Sequence, residues 1–197
     1  MMEQRIQRHF FESADLKNQC AQILAPVIAN AISILVSTLT NGGKILVCGN
    51  GGSAADAQHF AAEFTGRFER ERPGLAAIAL TTDTSAITAI GNDYNFDAIF
   101  SRQVQALGNP GDVLVGISTS GNSKNVIKAI EVAHEQGMVV IALTGKGGGE
   151  IGRMLSEMDV HITVPHDRTA RIQEVHSLAL HCLCDGVDNV LFGSDNE

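Results

Sequence analysis

The chain has 197 residues, a formal net charge of −8 at pH 7 and a sequence pI of about 5.3. This length is typical of one domain with a sizeable core, and 44% hydrophobic residues is an ordinary globular composition. The acidic balance argues against direct binding of nucleic acid. We find no signal-peptide core and no apolar stretch approaching the ~20 residues of a membrane span, so we expect a cytoplasmic protein without membrane contact.

The predicted elements alternate between helices and short apolar strands. Residues 3–40 are expected to be helical and to be divided by Pro26 into two segments. After this helix, the apolar runs that predict strands are 44–48, 76–81, 112–117, 138–143 and 159–164. The later helical patterns lie near 54–68, 85–107 (broken at Gly91–Asp93), 122–136, 149–156 and 168–191.

Strands rich in Val, Ile and Leu that alternate with helices indicate a parallel sheet buried on both faces. With right-handed crossovers, this pattern predicts a flavodoxin-like α/β fold, a three-layer αβα sandwich around a five-stranded parallel sheet. Residues 1–40 carry more apolar positions than one side of a small sheet needs. We therefore assign 1–40 to an N-terminal helical segment for oligomerisation and 41–197 to a single α/β domain.

The cysteines and one basic stretch predict structural roles. The four cysteines form no C-x-x-C pair, which favours reduced, buried thiols over a disulfide framework or a zinc knuckle. They are Cys20, Cys48, Cys182 and Cys184. Arg70 and Arg72 alternate with acidic residues, a pattern that favours a solvated helix end.

Two loops rich in serine and glycine, 49–53 and 118–123, each follow a predicted strand and precede a predicted helix. The first N–H groups of a helix lack partners and the helix dipole favours negative charge, so each loop predicts an anion site. The first loop fits a dinucleotide fingerprint poorly because residue 54 is alanine, and no P-loop follows a strand in the required register.

His59 and Glu63 lie one turn apart on the helix that follows the first loop, so they can reach one divalent ion or one substrate. Together with the two loops, this pair favours a pocket for a phosphorylated polyol and chemistry rather than binding alone. A second cluster, Gln173, His176 and His181, lies on the last helix. We expect His176 to be packed or interfacial rather than a ligand.

As a set, these motifs closely resemble the phosphoheptose isomerase family, which belongs to the sugar-isomerase (SIS) domain superfamily. The resemblance covers nearly the whole chain and rests on residues 48–53, 91–93, 116–123 and 171–174, with His181. It implies an aldose–ketose isomerase that interconverts sedoheptulose 7-phosphate and D-glycero-D-manno-heptose 7-phosphate through an enediol. This reaction is the first step towards the heptose of the lipopolysaccharide core. The resemblance also implies one Zn²⁺ per subunit and a homotetramer.

The resemblance also assigns roles to residues of this chain. The phosphate site falls on Ser118, Thr119, Ser120 and Ser123, assisted by Ser53. The other substrate-binding residues are Asn50, Gly51, Gly52, Glu63, Arg67, Asn92, Asp93 and Gln173. The zinc ligands are His59, Glu63, Gln173 and His181, and the catalytic acid–base pair is Glu63 and His181.

Elementary chemistry is consistent with these roles, because an enediol route needs a base, an acid and a group that stabilises negative charge. However, Gln173 and His181 are separated by about 12 Å of helical rise, so they share an ion only if their side chains lean together or if different subunits contribute. Ala170 stands where the isomerases of this family carry an aspartate, so one polar contact is either missing or replaced by Asp167 or Thr169.

Two non-catalytic alternatives remain open. The chain also resembles the DnaA initiator-associating protein, a tetrameric paralogue in replication control that lacks the helix glutamate and the final histidine. This chain keeps Glu63 and His181, which favours the enzyme. The third reading is a regulatory domain that senses sugar phosphates, and the lack of a DNA-binding extension weakens it.

Overall fold

The structure, a computed structural model, describes residues 1–193 and has helices on both faces of one sheet. The strands are β1 (Ile45–Gly49), β2 (Ala77–Ala79), β3 (Val113–Ser118), β4 (Val139–Thr144) and β5 (Val160–Thr163). The α-helices are α1 (Met2–Thr40), α2 (Gly52–Thr65), α3 (Thr84–Asp93), α4 (Ser101–Leu107), α5 (Lys124–Glu135), α6 (Gly149–Met154) and α7 (Thr169–Phe192). Short 3₁₀ turns occupy Phe96–Ala98 and Lys146–Gly148.

All five strands are parallel, in the order β2-β1-β3-β4-β5. Successive side chains of a strand point to opposite faces, so Val47 faces the core formed with α1, α2 and α7, while Leu46 faces the core formed with α4, α5 and α6. The predicted three-layer fold with a five-stranded parallel sheet is confirmed. Because the strand order reverses between β1 and β3, the loops after these two strands lie side by side at the edge where such sheets bind ligands.

Helix α1 is continuous across Pro26, so the prediction of two helical segments is wrong. Leu24 on one side of the proline and Ala31 and Leu35 on the other are buried in the same core. The packing of this single face maintains the helix through a residue that cannot donate the usual backbone hydrogen bond. Tertiary contacts therefore outweigh the tendency of Pro26 to interrupt the helix.

The expectation that no apolar stretch approaches the length of a membrane span is also wrong. Residues 18–43 contain no charged side chain, and one 18-residue window of α1 has a mean hydropathy of 2.0 with 22% of it buried. By length and composition alone α1 is long enough to cross a membrane, a test that core helices and N-terminal signal sequences also pass. Most of this apolar surface is left uncovered by the rest of the chain.

Two smaller expectations were tested by the local structure. The predicted interruption of the 85–107 helix is confirmed, although Gly91–Asp93 form the last turn of α3 and the break follows them. All four cysteines are free, and Cys20, Cys48 and Cys184 are buried as expected. Cys182 is exposed, so the expectation of buried thiols is wrong for that residue.

Candidate active site

The loops that follow β1 and β3 meet at the carboxyl edge of the sheet. Gly51, with a positive φ of 58°, is the N-cap residue of α2, and Ser123 is the N-cap residue of α5. In the part of the chain that the structure describes, neither N-terminus receives a side-chain capping hydrogen bond. The N–H groups of Ser53 and Ala54 donate to the carbonyls of Asn50 and Gly51, and that of Val126 donates to Oδ1 of Asn125. An anion that binds between the loops would use the remaining N–H groups of the two first turns.

A pair of asparagines joins the two loops. The Nδ2 of Asn50 donates to Oδ1 of Asn125, and the Nδ2 of Asn125 donates to Oδ1 of Asn50, both at 2.8 Å. Asn125 is only 3% exposed and lies in the first turn of α5. Asn125 was not predicted as a site residue; the available signal was an amide residue two positions after the second serine loop.

The second loop carries the hydroxyl groups assigned to the phosphate. The Oγ atoms of Ser118 and Ser123 lie 2.8 Å apart, so the two ends of the loop are hydrogen-bonded to each other. Ser120 accepts a hydrogen bond from the backbone N–H of Asn122 at 3.2 Å. Thr119 and Ser120 are half-buried, which leaves them accessible to a ligand at this edge.

Helix α6 supports this loop from behind. The backbone N–H of Glu150 donates to Oδ1 of Asn122 at 2.9 Å, and that of Ile151 donates to the carbonyl of Gly121 at 2.9 Å. Gly121 has a φ of +66°, and a Cβ atom there would collide with the backbone of Gly148. The loop therefore needs glycine at this position for both its conformation and its packing.

We expect Gly121→Ala to raise KM for the sugar phosphate at least tenfold, because the added Cβ displaces the loop from α6 and disturbs the serine hydroxyls. Gly111→Ala is the matched control, since Gly111 also has a positive φ, +87°, but has nothing within 4 Å of its missing Cβ. Both variants carry the left-handed strain of about 1–3 kcal/mol. Steady-state kinetics and inhibition by inorganic phosphate measure the effect; equal KM values in the two variants would contradict it.

A second cluster forms where α2 and α7 pack together. The Nε2 atoms of His59 and His181 lie 3.0 Å apart, and His59 Nε2 lies 3.4 Å from Oε1 of Glu63. The two imidazole rings meet edge to face, and the ring of Phe68 lies 5.6 Å from that of His181. The structure thus brings together His59, Glu63 and His181, which are up to 122 residues apart in the sequence.

Gln173 lies elsewhere on α7. Its side chain is packed against Gly52, the first residue of α2, where a Cβ atom would collide with it. Helix α7 is continuous from Thr169 to Phe192, so Gln173 precedes His181 by the expected rise of about 12 Å. Gln173 therefore adjoins the first substrate loop rather than the histidine pair.

Asp56 adds a carboxylate close to the histidines. Its Oδ1 accepts a hydrogen bond of 3.0 Å from the hydroxyl of Ser177, which ties α2 to α7. Burial raises the pKa of Asp56, while the Ser177 hydroxyl and the charges of His59 and His181 act in the opposite direction. Asp56 was not predicted, although it lies one turn before His59 on the same helix.

Three of the predicted substrate residues lie outside both groups. Arg67 is exposed beyond α2, where Nη1 donates to the carbonyl of Glu69 at 3.0 Å. Asn92 and Asp93 are exposed at the end of α3, and Asn92 donates to the Asp93 carboxylate at 2.8 Å. Their assignment to the substrate stays a prediction.

The chemistry of the donor groups suits zinc. Two imidazole nitrogens and a carboxylate oxygen are ligands that Zn²⁺ accepts, and here they face one another. Within residues 1–193, however, no group of three His, Cys, Asp or Glu side chains already has the arrangement of a metal site. His59, Glu63 and His181 are the residues that a metal would draw together.

Two other expectations concern residues near this cluster. His176 is fully buried as expected; its Nε2 donates to the carbonyl of Thr144 at 3.0 Å, and burial lowers its pKa to about 4. The expectation for Arg72 is wrong, because its side chain is 2% exposed and is paired with Asp188. That acid lies 116 residues away in the sequence, so no local pattern indicated a buried partner.

Comparison with known proteins agrees with this geometry. A family model for the SIS domain matches residues 9–145. The phosphoheptose isomerase of Methylibium petroleiphilum is 69% identical over 196 residues, covering 100% of this chain and 98% of that protein. A phosphoheptose isomerase structure from Neisseria gonorrhoeae matches with a TM-score of 0.92 and 58% identity, covering 96% of this chain and 100% of that chain. One from Francisella tularensis matches with a TM-score of 0.93 and 49% identity, covering 96% and 99%.

The similarity therefore extends over nearly the whole chain rather than over isolated motifs. It includes the segment between residue 145 and the C-terminus, which contains α7 and its histidines. Two loops at the strand switch point and a His–Glu–His cluster are the features expected of a sugar-phosphate isomerase. The chain belongs to the phosphoheptose isomerases, enzymes built on the SIS domain.

Proposed function

We propose that this enzyme interconverts sedoheptulose 7-phosphate and D-glycero-D-manno-heptose 7-phosphate in the cytoplasm. The single observation that carries the proposal is the convergence of His59, Glu63 and His181 where α2 packs against α7. The phosphate binds the hydroxyl and N–H groups at residues 118–123, and the other end of the sugar reaches the cluster. The reaction supplies heptose for the lipopolysaccharide core.

The reaction moves protons between two neighbouring carbon atoms and between their two oxygen atoms, so the substrate gains or loses no atom overall. Glu63 removes a proton from C1 of the ketose and returns it to C2, which is the transfer that a carboxylate base performs. His181 donates a proton to the C2 carbonyl oxygen, giving an enediol, and then takes the proton of the C1 hydroxyl, which restores its own protonation state. The carbonyl group has moved from C2 to C1.

We further propose one zinc ion per chain, held by His59, Glu63, Gln173 and His181. The histidines and the glutamate are included because their ligand atoms face one another. Gln173 is included because the family resemblance implies it; since it lies about 12 Å of helical rise from His181, it shares the ion only if the two side chains lean together or if different subunits contribute. When bound, the ion supplies a Lewis acid for the negative charge that develops on the substrate. His59 then orients the site, and Glu63 and His181 hold and move the protons.

The assembly proposed is a homotetramer in which α1 and α7 contact other copies. These helices line a groove of about 400 Å³, here called the α1–α7 groove, between Lys17 and Ile32 on α1 and Val175 and Gly186 on α7. The groove walls are almost entirely apolar, as in interfaces between permanent subunits. Lys17 and Asp185 lie within it, and such charges suit a protein partner better than lipid.

We expect purified enzyme to convert sedoheptulose 7-phosphate and to contain about one zinc per chain. Chelation should lower the rate at least tenfold, and added zinc should restore it. Metal analysis of protein purified without chelator is the companion measurement. Fully active enzyme without stoichiometric metal would refute the zinc proposal alone, whereas binding without turnover would refute the reaction and favour the non-catalytic alternatives.

A further inference from the structure

Arg72 lies in the loop after α2 and binds the backbone at the end of that helix, including that of Glu63. Its Nη2 donates to the carbonyl oxygen of Glu63 at 2.8 Å, and its Nη1 donates to those of Phe64 at 2.8 Å and Gly66 at 3.2 Å. Helix α2 ends at Thr65, so the carbonyls of Glu63 and Phe64 belong to its last turn, where intrahelical partners are missing, and Gly66 is the residue that follows the helix. A buried cation at a helix C-terminus also suits the helix dipole.

The other side of the same guanidinium is attached to α7. Nε of Arg72 donates to Oδ1 of Asp188 at 2.7 Å, and the two side chains are 2% and 7% exposed. Asp188 lies about two turns after His181 on α7. Arg72 is therefore a direct link between the turn that carries Glu63 and the helix that carries His181.

Cys184 shows that this link lies close to the Glu63 carboxylate. Burial raises the pKa of the Cys184 thiol, the carboxylates of Glu63 and Asp188 raise it further, and Arg72 acts in the opposite direction. The buried Arg72–Asp188 pair and Cys184 thus lie near the partly exposed Glu63 carboxylate, between α2 and α7. Because the Arg72–Asp188 pair is buried, water cannot solvate one charge when the other is removed.

We propose that Arg72 and Asp188 are positioning residues, which fix Glu63 at its working distance from His181. The inference rests on the proposed roles of Glu63 and His181. Without the guanidinium, the carbonyls of Glu63 and Phe64 in the last turn of α2, and that of Gly66 just after it, lose their hydrogen bonds from Arg72, and the carboxylate is free to shift relative to α7. Displacements of about 1 Å in a catalytic group are enough to lower a rate by about 100-fold.

Arg72→Lys and Asp188→Asn test the proposal, because lysine cannot reproduce the fork of donors and asparagine keeps the shape of aspartate. We expect kcat to fall at least tenfold in each variant. KM and inhibition by inorganic phosphate should be unchanged, because the phosphate loop follows β3 and does not contact Arg72 or Asp188. The matched control is Asp112→Asn, which breaks the part-buried ion pair between Asp112 and Lys44, the residue before β1, at the opposite edge of the sheet. It should lower Tm without lowering kcat.

A double-mutant cycle separates positioning from other effects. Once Glu63→Gln has removed the base, adding Arg72→Lys should lower kcat no further. Multiplying effects, or a kcat that matches the Asp112→Asn control, would overturn the inference. If Arg72→Lys does not fold, the same cycle with Asp188→Asn decides the matter. Normal kcat in Glu63→Gln alone would instead refute the proposed role of Glu63.

Discussion

Replacing Glu63 by glutamine should lower kcat by about 100-fold or more, because the amide cannot accept the proton that leaves C1. Glu63 is partly exposed near the end of α2, so the loss should concern the reaction rather than the fold. Glu71→Gln is the matched control, since the Glu71 side chain is 90% exposed in the following loop. Stopped-time assays of aldose formation, with Tm measured alongside, provide the comparison.

His181→Gln should cause a loss of similar size, because glutamine keeps a polar group but cannot transfer a proton at neutral pH. The two substitutions act on one proton relay, so the double variant should be little worse than either single variant. Near-normal turnover in either folded single variant would remove that residue from the catalytic pair. A loss confined to KM would make it a binding residue.

A charge in the α1–α7 groove should dissociate the assembly completely. Leu178 is 44% exposed in the single chain and lines the groove, so Leu178→Glu removes no packing from the chain's own core. In a subunit interface the same carboxylate would be buried without a partner, which costs several kcal/mol. We therefore expect a 20.9 kDa monomer in sedimentation experiments in place of an oligomer.

Activity should fall together with the assembly, because Leu178 lies on α7 between Gln173 and His181. The control is Met158→Glu, since Met158 is 73% exposed and lies outside the groove. That variant should keep both its oligomeric state and its rate. An oligomer that persists in Leu178→Glu would move the interface elsewhere, and a fully active monomer would contradict a role for assembly in catalysis.

The features that were predictable from the sequence are those set by short-range patterns. Alternating apolar runs and helical patterns gave the parallel sheet, and loops after the first and third strands gave the switch-point site. The spacing of His59 and Glu63 placed them on one helix face, which the structure confirms. Each of these inferences needs only the periodicity of a helix or strand and the geometry of parallel sheets.

The features that were missed depend on partners far away in the sequence. From the sequence, Arg72 has the pattern of a surface cation, because its partner Asp188 is far away in the chain. Asn125 likewise has the pattern of an ordinary helix residue, because its partner Asn50 is distant in the sequence. The continuity of α1 through Pro26 depends on packing against the sheet rather than on local propensity. Such pairings depend on the tertiary contacts of the complete fold, which no local pattern contains.

The reciprocal hydrogen bonds of Asn50 and Asn125 have a consequence for ligand affinity. Each amide satisfies the other, so neither loop moves without breaking a part-buried pair of hydrogen bonds at the sheet edge. The conformational entropy of both loops is therefore lost when the chain folds, before any ligand arrives. A small, strongly hydrated anion offers few contacts to a protein. Here it binds to loops that are already ordered, so no part of its binding free energy is lost in ordering them.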